Sequence, residues 1–451
     1  MNDRNFAMAE KIAAQAAERG GRTFYVGGIV RDRLMGRENK DVDIEVHGIE
    51  PDVLYSILEN LGKPISMGVS FGVYGLRGYD IDIAMPRKET ATGRGHKDFD
   101  VFVDPYLGTE KAAVRRDFTI NAMMQDVLTG EIVDHFGGRE DIKNGIIRHV
   151  NDNTFVEDPL RVLRAAQFAA RFGFVIAPET VELSRTMDLK ALARERVMGE
   201  LEKAFLKADR PSVFFGTLDR MEQMGEWFPE VKALQDVPQD PEHHPEGSVW
   251  NHAMMVLDAA TKLRSQAEYP LGFMMSALVH DFGKIIVTEE INGKIHAYCH
   301  EIKGLPLVQK FLDRLCTEVK LQKYVLNMTE CHMKPNRYLK DHADTKKFCR
   351  MFDESVCPED LLLLAKADHM GRENPSPYEE DEAELRRLLE VFKERMARPF
   401  VQGRDLVESG LKPGPQFHDA LAYAHKLRLA GVPKDEALRQ TLGFFGANSN
   451  K

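Results

Sequence analysis

Apolar positions along the chain change their period near residue 158, and that change divides the molecule. Residues 6–20 carry apolar side chains at the three-to-four spacing of an amphipathic helix, closed by Gly20 and Gly21. Strand-like stretches follow at 23–27, 41–46, 71–76 and 79–85, with a helix predicted over 51–61 between them. Strands alternating with helices predict a small α/β head. Residues 87–100 lack apolar periodicity and contain Gly93 and Gly95, so they read as a mobile loop. Beyond Asp158 the pattern is helical to the end, beginning with Leu160, Leu163, Phe168 and Phe172. The Pro/Asp/His-rich stretch 237–246 reads as an internal linker, and 371–380 as a second polar break. The expected organisation is α+β: a head over 1–150, a helical neck over 151–235, a helical body over 236–390 and a helical tail over 391–451.

With 451 residues the chain suits two or three domains, each with its own core. No apolar run approaches twenty residues and no basic-then-apolar leader is present, which argues against a membrane span or secretion and for a cytoplasmic protein. The five cysteines form no CxxC pair, so reduced thiols are expected rather than a disulfide framework. A formal net charge of -10 argues against a surface coated in nucleic-acid contacts. It leaves room for a local basic groove, because phosphate affinity depends on where arginines sit. Arg115, Arg116, Arg161, Arg164 and Arg171 supply such a cluster.

Candidate chemistry begins at residues 26–45, where Gly27, Gly28 and Arg31 precede two carboxylates, Asp41 and Asp43. Strand alternation places Asp41 and Asp43 on one face, where they can share divalent cations that also hold a triphosphate. Asp82, in a second strand, can add a third carboxylate that orients the metals or accepts a proton, and Asp80 has the same parity. Arg115-Arg116-Asp117-Phe118-Thr119-Ile120-Asn121-Ala122 joins guanidinium groups suited to phosphate with Asp117 and Asn121, which suit ribose hydroxyls. Asp134 and the Gly137-Gly138 turn read as structural. Pro159 fits the first turn of a helix with Asp158 as its cap, and Asp158 and Arg161 then occupy neighbouring positions of one face. Either they form an ordinary ion pair, or they present an acceptor beside a donor that matches cytosine and adenine and rejects uracil and guanine.

These segments, with Arg164 and Arg194-Glu195-Arg196 through Glu200-Leu201, stand in the order seen in class II tRNA nucleotidyltransferases, which the chain resembles over about residues 20–210. The resemblance implies a polymerase-β-like head that adds CCA to tRNA 3′ ends from CTP and ATP. Magnesium would be held at Asp41 and Asp43, and Asp158 and Arg161 would act as an amino-acid template. It further implies nucleotide contacts at Gly28, Arg31, Arg116, Asp117, Asn121 and Arg164. Bacterial poly(A) polymerases and A-adding enzymes share this head and are the alternatives. The loop at 87–100, which the resemblance links with the switch from C to A addition, argues against a CC-only enzyme. Acid-rich residues 376–396, where poly(A) polymerases carry a basic extension, favour CCA addition.

In the helical body His252, His280-Asp281 and Asp368 are spaced so that one divalent metal, of unspecified identity, can be closed around; His296, His300 and His369 lie nearby in sequence. These residues resemble the ligands of HD-domain metal phosphohydrolases, with His300 and His332 matching less closely. Scattered surface histidines are the alternative. The resemblance implies a second chemistry, removal of blocked or cyclic-phosphate 3′ ends. Gly403-Arg404-Asp405 through Pro415 resembles the C-terminal part of the same enzymes and reads as a brace for tRNA. None of these features sets the oligomeric state.

Overall fold

The computed structural model describes residues 2–39, 41–66, 72–91, 99–242 and 244–446. They divide into two compact units, one of residues 1–204 and 213–226 and one of 205–212 and 227–451.

The first unit opens with α1 (Asn2–Ala17), β1 (Arg22–Val26), α2 (Gly28–Leu34), β2 (Val42–His47) and α3 (Pro51–Leu61). Strands β3 (Pro64–Ser66), β4 (Val73–Leu76), β5 (Ile81–Ala84), β6 (Arg87–Ala91), β7 (Phe99–Val103), β8 (Met124–Asp126) and β9 (Ile132–Val133) follow. Seven strands make one sheet in the order β3-β4-β5-β2-β1-β8-β9, in which only β2 and β5 run parallel. Side-chain alternation in β2 explains what this sheet is for. Val42, Ile44 and Val46 enter a core with Ile12, Leu54, Ile57 and Ile83. Asp43 and Glu45 therefore project from the opposite face.

Two expectations need correction here. The loop predicted over 87–100 begins and ends as strand, with β6 and β7 paired antiparallel from Arg87↔Val103 to Ala91↔Phe99. A two-stranded ribbon is joined by backbone hydrogen bonds and needs no buried face, so apolar periodicity gives no sign of it. Residues 92–98, and Phe71 of the predicted strand, lie outside the described residues. The continuous helical pattern expected beyond 158 is also interrupted, most clearly by a hairpin of β10 (Glu289–Ile291) and β11 (Lys294–His296).

In the remainder of the first unit, α4 (Leu160–Phe172) buries Val162, Leu163, Ala165 and Ala166, and α5 (Arg194–Lys207) begins there and ends in the second unit. The second unit is built on α6 (Val249–Thr261), α7 (Pro270–Val279), α8 (His300–Lys303), α9 (Val319–Cys331) and α10 (Pro358–Met370). Helix α6 packs on α7 and α10, and α7 on α9. Pro270–Val287 has the length and hydropathy of a membrane span, and 67% of it is buried inside this unit. The described residues of the predicted linker, 237–242 and 244–246, are tied down rather than free: Gln239 N donates to Gly247 O at 3.1 Å, and Pro238 bridges to Ser248. The tail forms its own small core around Leu406, Leu411, Ala420 and Ala437.

Candidate functional sites

Parallel pairing of β2 and β5 sets Asp43 in register with Asp82, so the two carboxylates stand side by side on one face of the sheet. Asp41 immediately precedes β2, and its backbone N–H donates to Asn39 Oδ1 at 2.9 Å. The Asp43 pKa is raised to about 6, by burial first and then by the charges of Asp82, Asp41 and Asp80, with Arg116 opposing them. An excess of negative charge at a partly buried carboxylate is what a divalent cation relieves. Gly27 adopts φ 72°, which an L side chain rarely tolerates. A Cβ there would lie 3.5 Å from Arg116 Nη1 and 3.9 Å from Asp43 Oδ2, so the glycine turn, the arginine and the carboxylate converge.

Glu45 escaped the sequence reading, although it continues the Asp41-x-Asp43 alternation by one more step. It is fully buried, 2.9 Å from His47 Nε2 and 3.6 Å from Arg116 Nη2. Burial alone would raise its pKa; the His47 hydrogen bond and the Arg116 charge hold it below the usual value. Glu45 thereby anchors Arg116 beside the carboxylate face.

The other residues expected to touch nucleotide form a buried polar ladder. Arg31 donates from Nε to Asp32 Oδ1 at 2.8 Å and from Nη1 to Asn121 Oδ1 at 2.6 Å. Asn121 Nδ2 donates to Asp117 Oδ1 at 2.9 Å, and Arg164 reaches Asp117 Oδ2 through Nε at 2.8 Å and Nη2 at 2.6 Å. Arg164 Nη1 lies 3.7 Å from Glu200 Oε1. Burial works to raise the Asp117 pKa, but Arg164 and the Asn121 hydrogen bond outweigh it and hold the carboxyl below its usual range. Arg31 is only 4% exposed and underlies Gly28, so in this state it braces the glycine turn from beneath.

Helix α4 begins at Leu160 with Pro159, not Asp158, at its N-cap position, and Asp158 stands one residue before it, with Oδ1 accepting from Leu160 N at 3.2 Å. The ion pair with Arg161 does not form. Asp158 Oδ2 instead accepts from Arg196 Nη2 at 2.8 Å, while Arg161 donates to the carbonyls of Thr154 and Arg115. Asp134 accepts from Gly138 N and Arg139 N, both at 2.9 Å, which is the structural role read for that turn.

In the second unit His252 of α6, the His280-Asp281 pair, His300 of α8, His332 and Asp368 of α10 come together, all buried. The pair does not lie within a helix. Helix α7 ends at Val279, which matters because adjacent residues inside a helix do not face one another. Three donor atoms from His252, His280 and Asp368 lie within 4.8 Å of one another, as do three from Asp281, His300 and His332. Asp281 links the groups: Oδ2 is 3.4 Å from His280 Nε2, and Oδ1 is 3.0 Å from His300 Nε2 and 3.8 Å from His332 Nε2. His280 Nε2 is buried with no hydrogen-bond partner among the described residues, as a nitrogen meant for a metal would be. His300 and His332 thus belong with the four expected ligands. His296 stacks on Tyr298 and His369 on Tyr378, and neither belongs to these two groups.

Glu246, on the loop read as linker, lies 3.0 Å from His252 Nδ1 and 2.8 Å from His244 Nδ1. A carboxylate behind a metal-binding histidine fixes its ring orientation. Nothing in its spacing announces this, because the loop path decides it. Lys284 completes the centre, with Nζ 2.8 Å from both Asp281 Oδ2 and Gln239 Oε1.

A carboxylate-bearing sheet with a glycine turn, in a chain whose second unit carries a buried His/Asp centre, defines a polymerase-type nucleotidyltransferase with an HD-like body. Residues 23–148 match the poly A polymerase head domain. The chain is 35% identical over 373 residues to the multifunctional CCA protein of Actinobacillus pleuropneumoniae serotype 5b, covering 80% of this chain and 88% of that one. To the multifunctional CCA protein of Xanthomonas campestris pv. campestris strain B100 it is 36% identical over 430 residues, 92% of this chain and 99% of the relative. It belongs to the family of multifunctional CCA proteins. The fold is similar to that of the Bacillus stearothermophilus CCA-adding enzyme in complex with CTP, with TM-score 0.69, 22% identity and 99% of both chains covered. A Thermotoga maritima CCA-adding enzyme complexed with tRNA gives TM-score 0.62 at 20% identity, covering 98% of this chain and 94% of that one.

Proposed function

We propose that this protein adds CCA to the 3′ end of tRNA from CTP and ATP in the cytoplasm, with residues 1–150 as head, 151–235 as neck, 236–390 as HD body and 391–451 as tail. The observation that carries the reading is the register of Asp43 with Asp82 beside Asp41, Arg116 and the Gly27 turn, in a chain alignable with 99% of a multifunctional CCA protein. The tRNA 3′ oxygen bonds to the α-phosphorus as the α–β bridging bond breaks, and pyrophosphate leaves. Asp41 and Asp43 would hold magnesium, which when bound neutralises phosphate charge. Arg116, fixed by Glu45, holds phosphate oxygens, and Asp82 can take the hydroxyl proton. Asp117 and Asn121 brace the sugar side through the ladder. Asp158 and Arg161 read the base edge, with Arg196 fixing the first. Incubation of tRNA ending before CCA with each labelled NTP tests this: addition stops at CCA, whereas a long A tail, or A added only after CC, overturns it.

In the same reading the HD body is a phosphohydrolase for blocked RNA 3′ ends. Support comes from the two donor groups that share Asp281 and from the unpartnered His280 Nε2. His252, His280, Asp281, Asp368, His300 and His332 would hold the divalent cation or cations. Turnover of a nucleoside 2′,3′-cyclic phosphate, lost in Asp281→Asn, tests it.

A further inference from the structure

Two cationic side chains border the HD centre, and they are held differently. Lys284 is 12% exposed and its ammonium is committed to Asp281 and Gln239, each at 2.8 Å. Arg372 has no such commitment. Its Nη2 lies 3.8 Å from Asp368 Oδ2, beyond hydrogen-bonding distance, and its Nε is buried without a hydrogen-bond partner among the described residues. Nε and an adjacent Nη form one edge of the guanidinium fork, the edge that suits two phosphate oxygens. A buried N–H left without an acceptor costs stability unless a ligand supplies one.

The backbone delivers Arg372 to this position. Gly371 ends α10 directly against α6, where a Cβ would come within 2.6 Å of the backbone nitrogen of Val256. Only glycine lets the chain turn so close to the helix that carries His252. The side chain is 37% exposed, so Nε is buried while another part of the guanidinium-bearing chain reaches solvent.

We propose that Arg372 receives the phosphate group of the HD-centre substrate, a phosphate ester at an RNA 3′ end. This rests on the phosphohydrolase reading of that centre. Asp368 is committed on its other oxygen to His252, 3.0 Å away, and is one of the carboxylates that would hold a cation. Arg372 is therefore free to turn its donors from Asp368 to an arriving anion. A bidentate charge-assisted contact of this kind changes affinity by about tenfold to a hundredfold.

The test uses full-length protein loaded with Mn2+ and follows two titrations, Mn2+ itself and then inorganic phosphate, together with turnover of cytidine 2′,3′-cyclic phosphate. Arg372→Ala should weaken phosphate binding about tenfold to a hundredfold and raise KM more than it lowers kcat, with Mn2+ affinity unchanged. Added guanidinium should restore part of the loss. Arg372→Lys, which keeps the charge and loses the fork, should fall between. Phosphate binding unchanged in both variants overturns the proposal. So does a parallel fall in Mn2+ affinity, which would make Arg372 a brace for Asp368. Absence of phosphate binding in the wild type overturns it as well. If the wild type binds phosphate but turns over no cyclic phosphate, the phosphohydrolase reading fails, while the phosphate titration still decides the role of Arg372.

Discussion

Asp117→Asn removes one charge from the centre of the ladder and keeps its shape. The native carboxylate accepts a hydrogen bond from Arg164 Nε at 2.8 Å, pairs with Arg164 Nη2 at 2.6 Å, and accepts one hydrogen bond each from Asn121 and the Phe118 backbone. The amide can still accept on one side, but on the other its NH2 meets the Arg164 donors, leaving that guanidinium with Glu200 at 3.7 Å. Breaking a buried pair by removing one partner costs about 3–5 kcal/mol. The two units of the chain make global unfolding a poor assay, so the cost is best read locally, as amide hydrogen exchange in α4. Protection over Leu160–Phe172 should fall by about two to four decades.

A double-mutant cycle sharpens the test. Arg164→Met removes the stranded cation, so the double variant should be less destabilised than the sum of the two single ones by about 2–3 kcal/mol. Losses that add to within about 0.5 kcal/mol would refute the claim that Arg164 and Asp117 act as one unit. The same pair fixes a pH dependence. Because the folded Asp117 pKa is held below the usual carboxylate range, its contribution is present above that range and is lost as pH falls through the folded value. Protection in the wild type should therefore converge on that of the Asn variant in acid, relative to the unfolded chain at each pH. A gap that persists at pH values below both would point to shape rather than charge.

Asp41→Ala and Asp43→Ala should each lower nucleotidyl transfer about a thousandfold or more, with the circular dichroism spectrum unchanged; retained activity in the double variant would remove the metal assignment. Asp158→Ala should lower discrimination of CTP over UTP about fivefold to a hundredfold, and Arg196→Ala should do so less, measured as ratios of kcat/KM. Calorimetric Mn2+ titration should show two cations per chain in the body, one after His332→Ala; a single cation in both proteins would mean that Asp281 links no second site.

The parts of this molecule that its sequence discloses are those where period alone decides. Asp43 and Glu45 must leave the sheet opposite Val42, Ile44 and Val46, and that follows from alternation. The helix over 51–61 is as bounded in the structure as in the pattern, because Pro51 starts it and Gly62 ends it. What period cannot disclose is which distant element lies alongside. Asp158 and Arg161 are neighbours on a helical wheel, yet their hydrogen bonds go to Arg196, Arg115 and Thr154. His300, His332 and Glu246 join the HD centre from two helix ends and a loop whose courses depend on packing far from their own sequence.

Commitment of Asp158 and Arg161, the residues proposed to read the base, to their neighbours bears on how a protein can choose C and A without a nucleic-acid template. A side chain that reads a base edge while swinging freely would accept uracil in a second rotamer, so its selectivity is limited by its own disorder. Asp158 has one hydrogen bond on each oxygen, from Leu160 N and Arg196. A carboxylate oxygen has two lone pairs, so each retains capacity for a base. Arg161 places two of its five N–H donors on backbone carbonyls and keeps the others. Both groups can thus be held from behind while presenting unspent donors and acceptors in front, the arrangement in which orientation is set before the nucleotide arrives. In that arrangement Arg196 contributes to selectivity without touching a base, and the order of effects Asp158→Ala over Arg196→Ala follows from their positions in the chain of contacts.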